Sequence, residues 1–447
     1  EITKSTRVYA FPTQAPPIAF STEFTYDSWG RMQQIVYPDG EVLDYTYDRG
    51  GQLKAMNGEK QGQAYVYLID MKYDKFGAKT EMDYGNYLIT RYMYDPLTLR
   101  LDSITTSLQA NRYATMGYRY DAKGNVIRLY SKYNWLGPDV ITQEFTYDST
   151  DQLIAAEGST QNDDIYSNEI IYGNWGKVLQ YDIRITDPLT SLQTERHTTF
   201  NYPSLNNNRT QTLFGAEYSN TYQPYDNPQN LSIEYDFGIN GSLRRKEADQ
   251  NSEYYLFNAF NCMKAYSYSG ERYGYYGYDD QGERTYKMDI TFLGIWTNEQ
   301  EEISDNWEVS TLMLYPNGYL NINQNGEYTK HYYADALRIA SKIGTGFSGN
   351  ICDSAGVIEN AYPGYLSDRI LKQNEVMQNE LYEVALKNPS ATLNFVNPYS
   401  DFCSIGSGGQ ETGLFFYHAD HLGSTGMVTD INSQITQGLL YAPFGEI

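Results

Sequence analysis

Hydrophobic and polar positions alternate along most of this chain, in short runs. Glu23-Phe24-Thr25-Tyr26, Asp44-Tyr45-Thr46-Tyr47 and Arg91-Tyr92-Met93-Tyr94 all follow this period of two. Such alternation belongs to a strand with two differently furnished faces. Each run ends on a turn signal. An Asp directly after the last Tyr can bond its own backbone, and a Gly three positions later supplies a positive φ. A second run follows, such as Gln33-Gln34-Ile35-Val36-Tyr37, and a second turn, Pro38-Asp39-Gly40, sends the chain back. One such unit is a β-hairpin of about 20–26 residues.

The unit recurs. Ten Tyr-Asp dipeptides occur, where composition alone would give roughly three. The pattern Y-D-x-x-G-x-hydrophobic reads YDSWGRM (Tyr26, Asp27, Gly30), YDRGGQL (Tyr47, Asp48, Gly51) and YDKFGAK (Tyr73, Asp74, Gly77). It reads YDAKGNV at Tyr120, Asp121 and Gly124, and YDDQGER at Tyr278, Asp279 and Gly282. Looser copies open at Tyr147, Tyr172, Tyr235 and Phe257. From Tyr26 through Tyr47, Tyr73, Tyr94, Tyr120 and Tyr147 to Tyr172 the steps are 21, 26, 21, 26, 27 and 25 residues. A period of that size means a repeating supersecondary unit.

Composition agrees. Of 447 residues, 46 are Tyr and 37 Gly, and 40% count as hydrophobic. Aromatic residues favour strands, and Gly, Asn and Asp favour turns. The expected class is all-β, with sheet surface partly solvated through tyrosine hydroxyls. The formal charge, 33 − 56 = −23, argues against nucleic acid as a partner, since phosphate needs a basic face. No apolar run approaches the roughly 20 residues of a membrane-spanning helix. No signal-peptide pattern opens the chain, whose first residue is Glu1 rather than Met. Cys262, Cys352 and Cys403 form neither a disulfide framework nor a CxxC metal spacing.

The repeat resembles the YD repeat of RHS proteins, a family that includes bacterial polymorphic toxins, C components of insecticidal toxin complexes and animal teneurins. The end of the chain resembles that family's core signature: Tyr417-His418-Ala419-Asp420-His421-Leu422-Gly423-Ser424, continued by Pro443-Phe444-Gly445. The resemblance implies a long curled antiparallel sheet forming a hollow, cocoon-like shell. It divides the chain into a lead-in (1–20), a repeat shell (21–345), an insertion (346–410) and the start of the core (411–447). It further implies a bacterial protein, secreted or at the cell surface, enclosing a C-terminal toxin domain of the same polypeptide beyond Ile447. A secretion-system or immunity protein would be a further partner. A second reading, from the teneurin side, is a cell-surface adhesion or carbohydrate-recognition module.

Within the insertion, residues 367–388 read as an amphipathic helix, with Ile370, Met377, Leu381 and Val384 at helical spacing. It is expected to lie against the shell or across its mouth, or, as the plainer reading, to cover a sheet edge.

Chemistry is sparse. His418 and His421 with Asp420 contain metal-ligand types, but i and i+3 face opposite ways on a strand. The resemblance assigns them buried hydrogen-bonding roles instead. His197 and His331 are expected at the surface. Asp95-Pro96 and Asp187-Pro188 are expected to be turns. The family's self-cleaving carboxylates lie downstream of the core signature, so no catalytic residue, metal or cofactor is expected in this stretch. The repeat aspartates lack the Asp-x-Asp-x-Asp spacing of a calcium loop.

Overall fold

A computed structural model describes residues 1–9, 18–137, 140–160, 164–186, 193–201, 211–219, 231–237, 242–248, 251–268, 272–294, 305–346, 392–394 and 410–441, with helical residues between 372 and 383. The expected Asp187-Pro188 turn, Ile370, Val384, Cys352, Cys403, Pro443, Phe444 and Gly445 lie outside the described residues. Among the described residues the fold is all-β apart from that helix and two single 3-10 turns, Asn134–Leu136 and Asn174–Gly176, and successive strands pair antiparallel with their neighbours. Two compact units are present: Glu1–Tyr65 with Asp236–Leu414, and Val66–Tyr235 with Phe415–Ile447.

In the first unit, Lys4–Tyr9 pairs with Ile18–Tyr26, and the meander runs on through Met32–Val36, Val42–Tyr47 and Leu53–Lys60. It resumes with hairpins between Asn251 and Thr345. Thr392–Asn394 adds parallel to Asp305–Asn317. The core is one sheet face, with Phe20, Tyr275, Met288, Leu312 and Ile322 all buried. Met377 and Leu381 of the helix join that cluster. The helix therefore lies on a sheet face, correcting the expectation of an edge cover. Its two apolar side chains bury more area against a face than an edge strand would offer.

In the second unit the meander continues through Lys79–Tyr84, Ile89–Tyr94, Leu101–Leu108, Asn111–Tyr120 and Val126–Tyr133. Ile104, Met116 and Tyr118 form a buried cluster there.

Every strict repeat makes the same turn. Asp27 N–H donates to the Arg31 carbonyl (2.9 Å), and Gly30 N–H donates to the Asp27 carbonyl (3.0 Å). Asp27 Oδ1 accepts from the N–H groups of Trp29 and Arg31. Gly30 stands at φ +76°, with Gly51, Gly77, Gly124 and Gly282 at +88°, +87°, +112° and +83°. Pairing slips by one residue at Tyr26, Tyr47, Tyr73, Tyr120 and Tyr278. A turn followed by a positive-φ residue and a one-residue slip is the bulged hairpin connection, which adds twist to the ribbon. Looser copies put Asp151, Asn261 or Ser433 in the glycine's place at φ +61° to +64°, which short polar side chains tolerate.

Tyrosine has two further uses. Its ring covers a glycine directly across the ladder: Tyr130 opposite Gly117, Tyr166 opposite Gly158, Tyr266 opposite Gly274, Tyr286 opposite Gly277 and Tyr328 opposite Gly344. The glycine leaves room for the ring, and the ring shields glycine backbone from water. Tyr37, Tyr67, Tyr84, Tyr273, Tyr275, Tyr328 and Tyr332 are also fully buried, while most other described tyrosines are half-buried, as the partly solvated sheet surface requires.

Candidate functional site: a buried lysine–carboxylate cluster

Six charged side chains meet inside the first unit. The turn after Tyr37 closes through Tyr37 N–H to the Glu41 carbonyl (2.8 Å), with Gly40 at φ +82°. It delivers Asp39 and Glu41 to the interior, where the Asp39 side chain is 3% exposed and that of Glu41 not at all. Leu53–Lys60 ends on Lys60. In Glu327–Ala334 the period of two turns Tyr328, Lys330 and Tyr332 to the buried side. Leu337–Thr345 supplies Lys342, and the strand Gln410–Ala419 brings in Glu411.

Lys330 Nζ is central. It donates to Asp39 Oδ2 (2.7 Å), to Glu411 Oε1 (2.8 Å) and to Glu41 Oε2. Lys60 Nζ reaches Asp39 at 2.8 Å and Glu411 at 3.3 Å. Lys342 Nζ reaches both Glu41 oxygens at 3.2 Å and Glu411 Oε2 at 3.0 Å. Tyr332 Oη donates to Glu41, and the Lys342 ammonium sits 3.3 Å from the centroid of the Tyr65 ring. Three cations face three anions.

The electrostatics follow. Burial alone would raise the Asp39 carboxyl, but Lys330 and Lys60 outweigh it and hold it low. Glu411 is likewise lowered, to about 2, against its burial, by Lys330 and Lys342. Lys330 is raised despite burial because three carboxylates surround it. Lys342 is lowered, by burial first and by the like charge of Lys330. Burial and Glu411 push the Tyr65 hydroxyl up to about 12.

Ligand oxygens of Asp39, Glu41 and Glu411 lie within 4.8 Å of one another, close enough for a metal cage. The Lys330 ammonium stands where the ion would go, so the cluster carries its own cation. Its chemistry is that of a tie. It joins a turn near residue 40 to strands near 330 and 342 and to the strand that begins at Gln410.

The core signature has another design. Asp420 is a repeat turn: its Oδ1 accepts from Leu422 N–H and Ser424 N–H (both 2.8 Å), with Gly423 at φ +88°. Ala419-Asp420-His421-Leu422-Gly423 is thus the same turn with Ala replacing Tyr. His418 is buried, with Nε2 2.9 Å from Thr429 Oγ1 and its ring centroid 4.7 Å from that of Tyr84. Tyr417 flanks it on the half-buried side of the strand. His421 corrects the buried expectation: it is solvent-exposed on a turn tip, with one face on Tyr118. The two histidines do not converge.

Of the remaining histidines, His197 is exposed and 2.5 Å from Asp182. His331 is half-buried between Asn321 and Ser341, correcting its expected surface position. Asp95 is a half-buried turn residue whose carboxylate accepts from the N–H groups of Leu97 and Thr98. Cys262 is a half-buried free thiol.

Comparison with known proteins places this architecture. The RHS repeat family model matches residues 26–61. Toxin subunit YenC1 of Yersinia entomophaga is 28% identical over 154 residues, 32% of this chain and 16% of that protein. Toxin subunit YenC2 of the same organism is 27% identical over 271 residues, 55% of this chain and 25% of that protein. This chain carries the RHS repeat. It spans a quarter or less of the length of those relatives. Its fold matches the crystal structure of TcdB2-TccC3 over 96% of the chain, with a TM-score of 0.55 and 16% identity. The structure of the Photorhabdus luminescens Tc holotoxin pore matches over the same share, with a TM-score of 0.61 and 18% identity. Each match covers 18% of the solved chain.

The lysine–carboxylate cluster was not foreseen in the RHS sequence. Pro38-Asp39-Gly40 read only as a turn. The available signal was the inward phase of Tyr328-x-Lys330-x-Tyr332, where a lysine shares the buried face with two tyrosines.

Proposed function

We propose that this chain is a stretch of wall from the RHS shell of a Tc-type toxin C subunit, and that the shell encloses a toxin domain encoded further along the same polypeptide. The carrying observation is the serial hairpin architecture, shared over nearly the whole chain with the TcdB2-TccC3 structure. A wall must be closed to polar leakage and rigid. Buried tyrosine rings over glycines and a charge-neutral internal tie both serve that purpose. By analogy with the complex named in that structure, the partner is a TcdB-like B component. The working location is a secreted toxin complex of a bacterium. The stretch itself acts as a container, not a catalyst.

The test uses the full-length reading frame. Expressed with a TcdB-like component, it should yield a closed hollow particle by electron microscopy. The region downstream of Ile447 should resist proteases that digest it when expressed alone. Equal cleavage in both forms, or a membrane anchor in place of a downstream toxin domain, would overturn the proposal.

A further inference from the structure

In the second unit the antiparallel meander from Gln63–Tyr73 to Val178–Thr186 sets five repeat turns along one edge of the sheet, at 73–79, 94–101, 120–126, 147–153 and 172–178. Neighbouring turns on that edge are two strands, or roughly 10 Å, apart. The residue three places after the repeat tyrosine forms each tip. In order it is Phe76, Leu97, Lys123, Thr150 and Trp175. Phe76, Leu97 and Trp175 are 62%, 91% and 92% exposed. Met93 and Leu99 near Leu97, and Ile171 and Leu179 near Trp175, are exposed as well. Single apolar residues on a surface are ordinary, but the same turn position on three hairpins of one edge is a pattern. Trp175 costs the fold twice. Its ring stands in water, and its backbone is held at φ +68°, a region that bulky residues resist.

Area and charge decide what such an edge fits. A stable protein partner covers roughly 800 Å² on each side. Aromatic side chains bury about 150–250 Å² each, so three anchors interrupted by Lys123 and Thr150 fall short of that. A bilayer makes no such demand, because lipid closes around each anchor separately, and aromatic residues suit the headgroup boundary. The five turns carry five Lys or Arg and five Asp, 5 − 5 = 0, on a chain of charge −23. Both signs at zero net charge complement a zwitterionic headgroup: ammonium groups face its phosphate, and carboxylates face its choline. An anionic surface would gain nothing from a neutral edge and would repel the rest of the chain. We propose that this edge of the second unit docks on a phosphatidylcholine-type lipid surface, with Phe76, Leu97 and Trp175 as its anchors. This goes beyond the container reading and does not depend on it.

The purified chain and the full-length protein would be floated with vesicles of phosphatidylcholine, and with vesicles that also contain phosphatidylserine. Both proteins should bind phosphatidylcholine, with half-saturation at about 1 mM accessible lipid or below, and phosphatidylserine should not strengthen the binding. Trp175→Asn should weaken it by about tenfold or more. The same variant should leave the urea midpoint unchanged or raised, because Asn accepts a positive φ. The double variant Phe76→Ser with Leu97→Ser should also weaken binding, and it decides the matter if Trp175→Asn misfolds. Failure of either protein to float, binding that requires phosphatidylserine, or undiminished binding in both variants would overturn the proposal. So would self-association of the chain without lipid binding, abolished by Trp175→Asn, since the edge would then serve a protein partner.

Discussion

The hydroxyl of Tyr120 donates to the carbonyl oxygen of Leu101 at 2.8 Å. Leu101 is the first residue after the preceding repeat turn. The same relation links Tyr47 to Met32, Tyr94 to Lys79, Tyr147 to Val126, Tyr278 to Met263 and Tyr441 to Thr425, all between 2.7 and 3.0 Å. Each of these tyrosines therefore reaches back to the strand that leaves the turn before it. Tyr120→Phe keeps the ring and removes the donor, leaving a partly buried carbonyl unmatched. Stability should fall by about 1 kcal/mol, read as a lower urea midpoint with an unchanged slope. An unchanged midpoint would show that the ring alone matters.

A glycine under a tyrosine ring should resist even a methyl group. At Gly117 a Cβ would stand 1.9 Å from the Tyr130 ring, although the backbone there is ordinary extended strand. At Gly62 nothing lies within 4 Å, but φ is +82°. Gly117→Ala should cost more than about 2 kcal/mol through overpacking, and Gly62→Ala only about 1 kcal/mol through backbone strain. Denaturation curves of the two variants separate the mechanisms. Equal losses would mean that Tyr130 swings aside freely.

The repeat was legible because its signals are local. Tyr-Asp, the Gly three residues on, and the alternation around them all act within one hairpin. The six-residue charge cluster was not legible, because Glu41 and Lys330 stand 289 residues apart and nothing local distinguishes Lys330 from a solvated strand lysine. The tyrosine–glycine pairs were hidden for a related reason. Cross-strand partners such as Gly117 and Tyr130 depend on register, which the bulges shift. His331 misled for lack of a neighbour in sequence, since its partners Asn321 and Ser341 sit on adjoining strands.

Breaking the cluster should be severe and asymmetric. Lys330→Met leaves Asp39, Glu41 and Glu411 with two cations instead of three, in a site with almost no water access. Removing one partner of a buried ion pair costs about 3–5 kcal/mol. The double variant Lys330→Met with Glu41→Gln restores charge balance and should recover part of that loss. A double-mutant cycle in urea checks it, and strict additivity would show that the two side chains are not coupled.

Incubated alone, the chain should neither cleave itself nor hydrolyse peptide substrates, at acidic or neutral pH. Asp95, one of the two Asp-Pro sites, is spent on turn hydrogen bonds. Time-resolved gels are sufficient. A discrete fragment forming at a concentration-independent rate, and abolished by Asp95→Asn or Asp187→Asn, would make this stretch a protease.

Stability should fall on acidification in two stages. Complete burial holds the His418 ring neutral, with its pKa lowered to about 3, and His331 is lowered to about 4. An unfolded histidine titrates near 6.5. Between those values the unfolded chain binds more protons than the folded one, so stability rises with pH there and is lost as pH falls. The first stage therefore starts near neutrality. The second comes from Asp39 and Glu411, both held below their ordinary range, Glu411 at about 2. Their contribution is full above the unfolded carboxylate pKa near 4 and disappears as pH falls toward 2. His418→Gln should flatten the first stage and leave the second in place. Urea midpoints taken at intervals from pH 8 to pH 3 give the profile. A midpoint that rises as pH drops from 7 to 5 would mean that His418 is charged in the folded protein, and the buried reading of the core signature would fail.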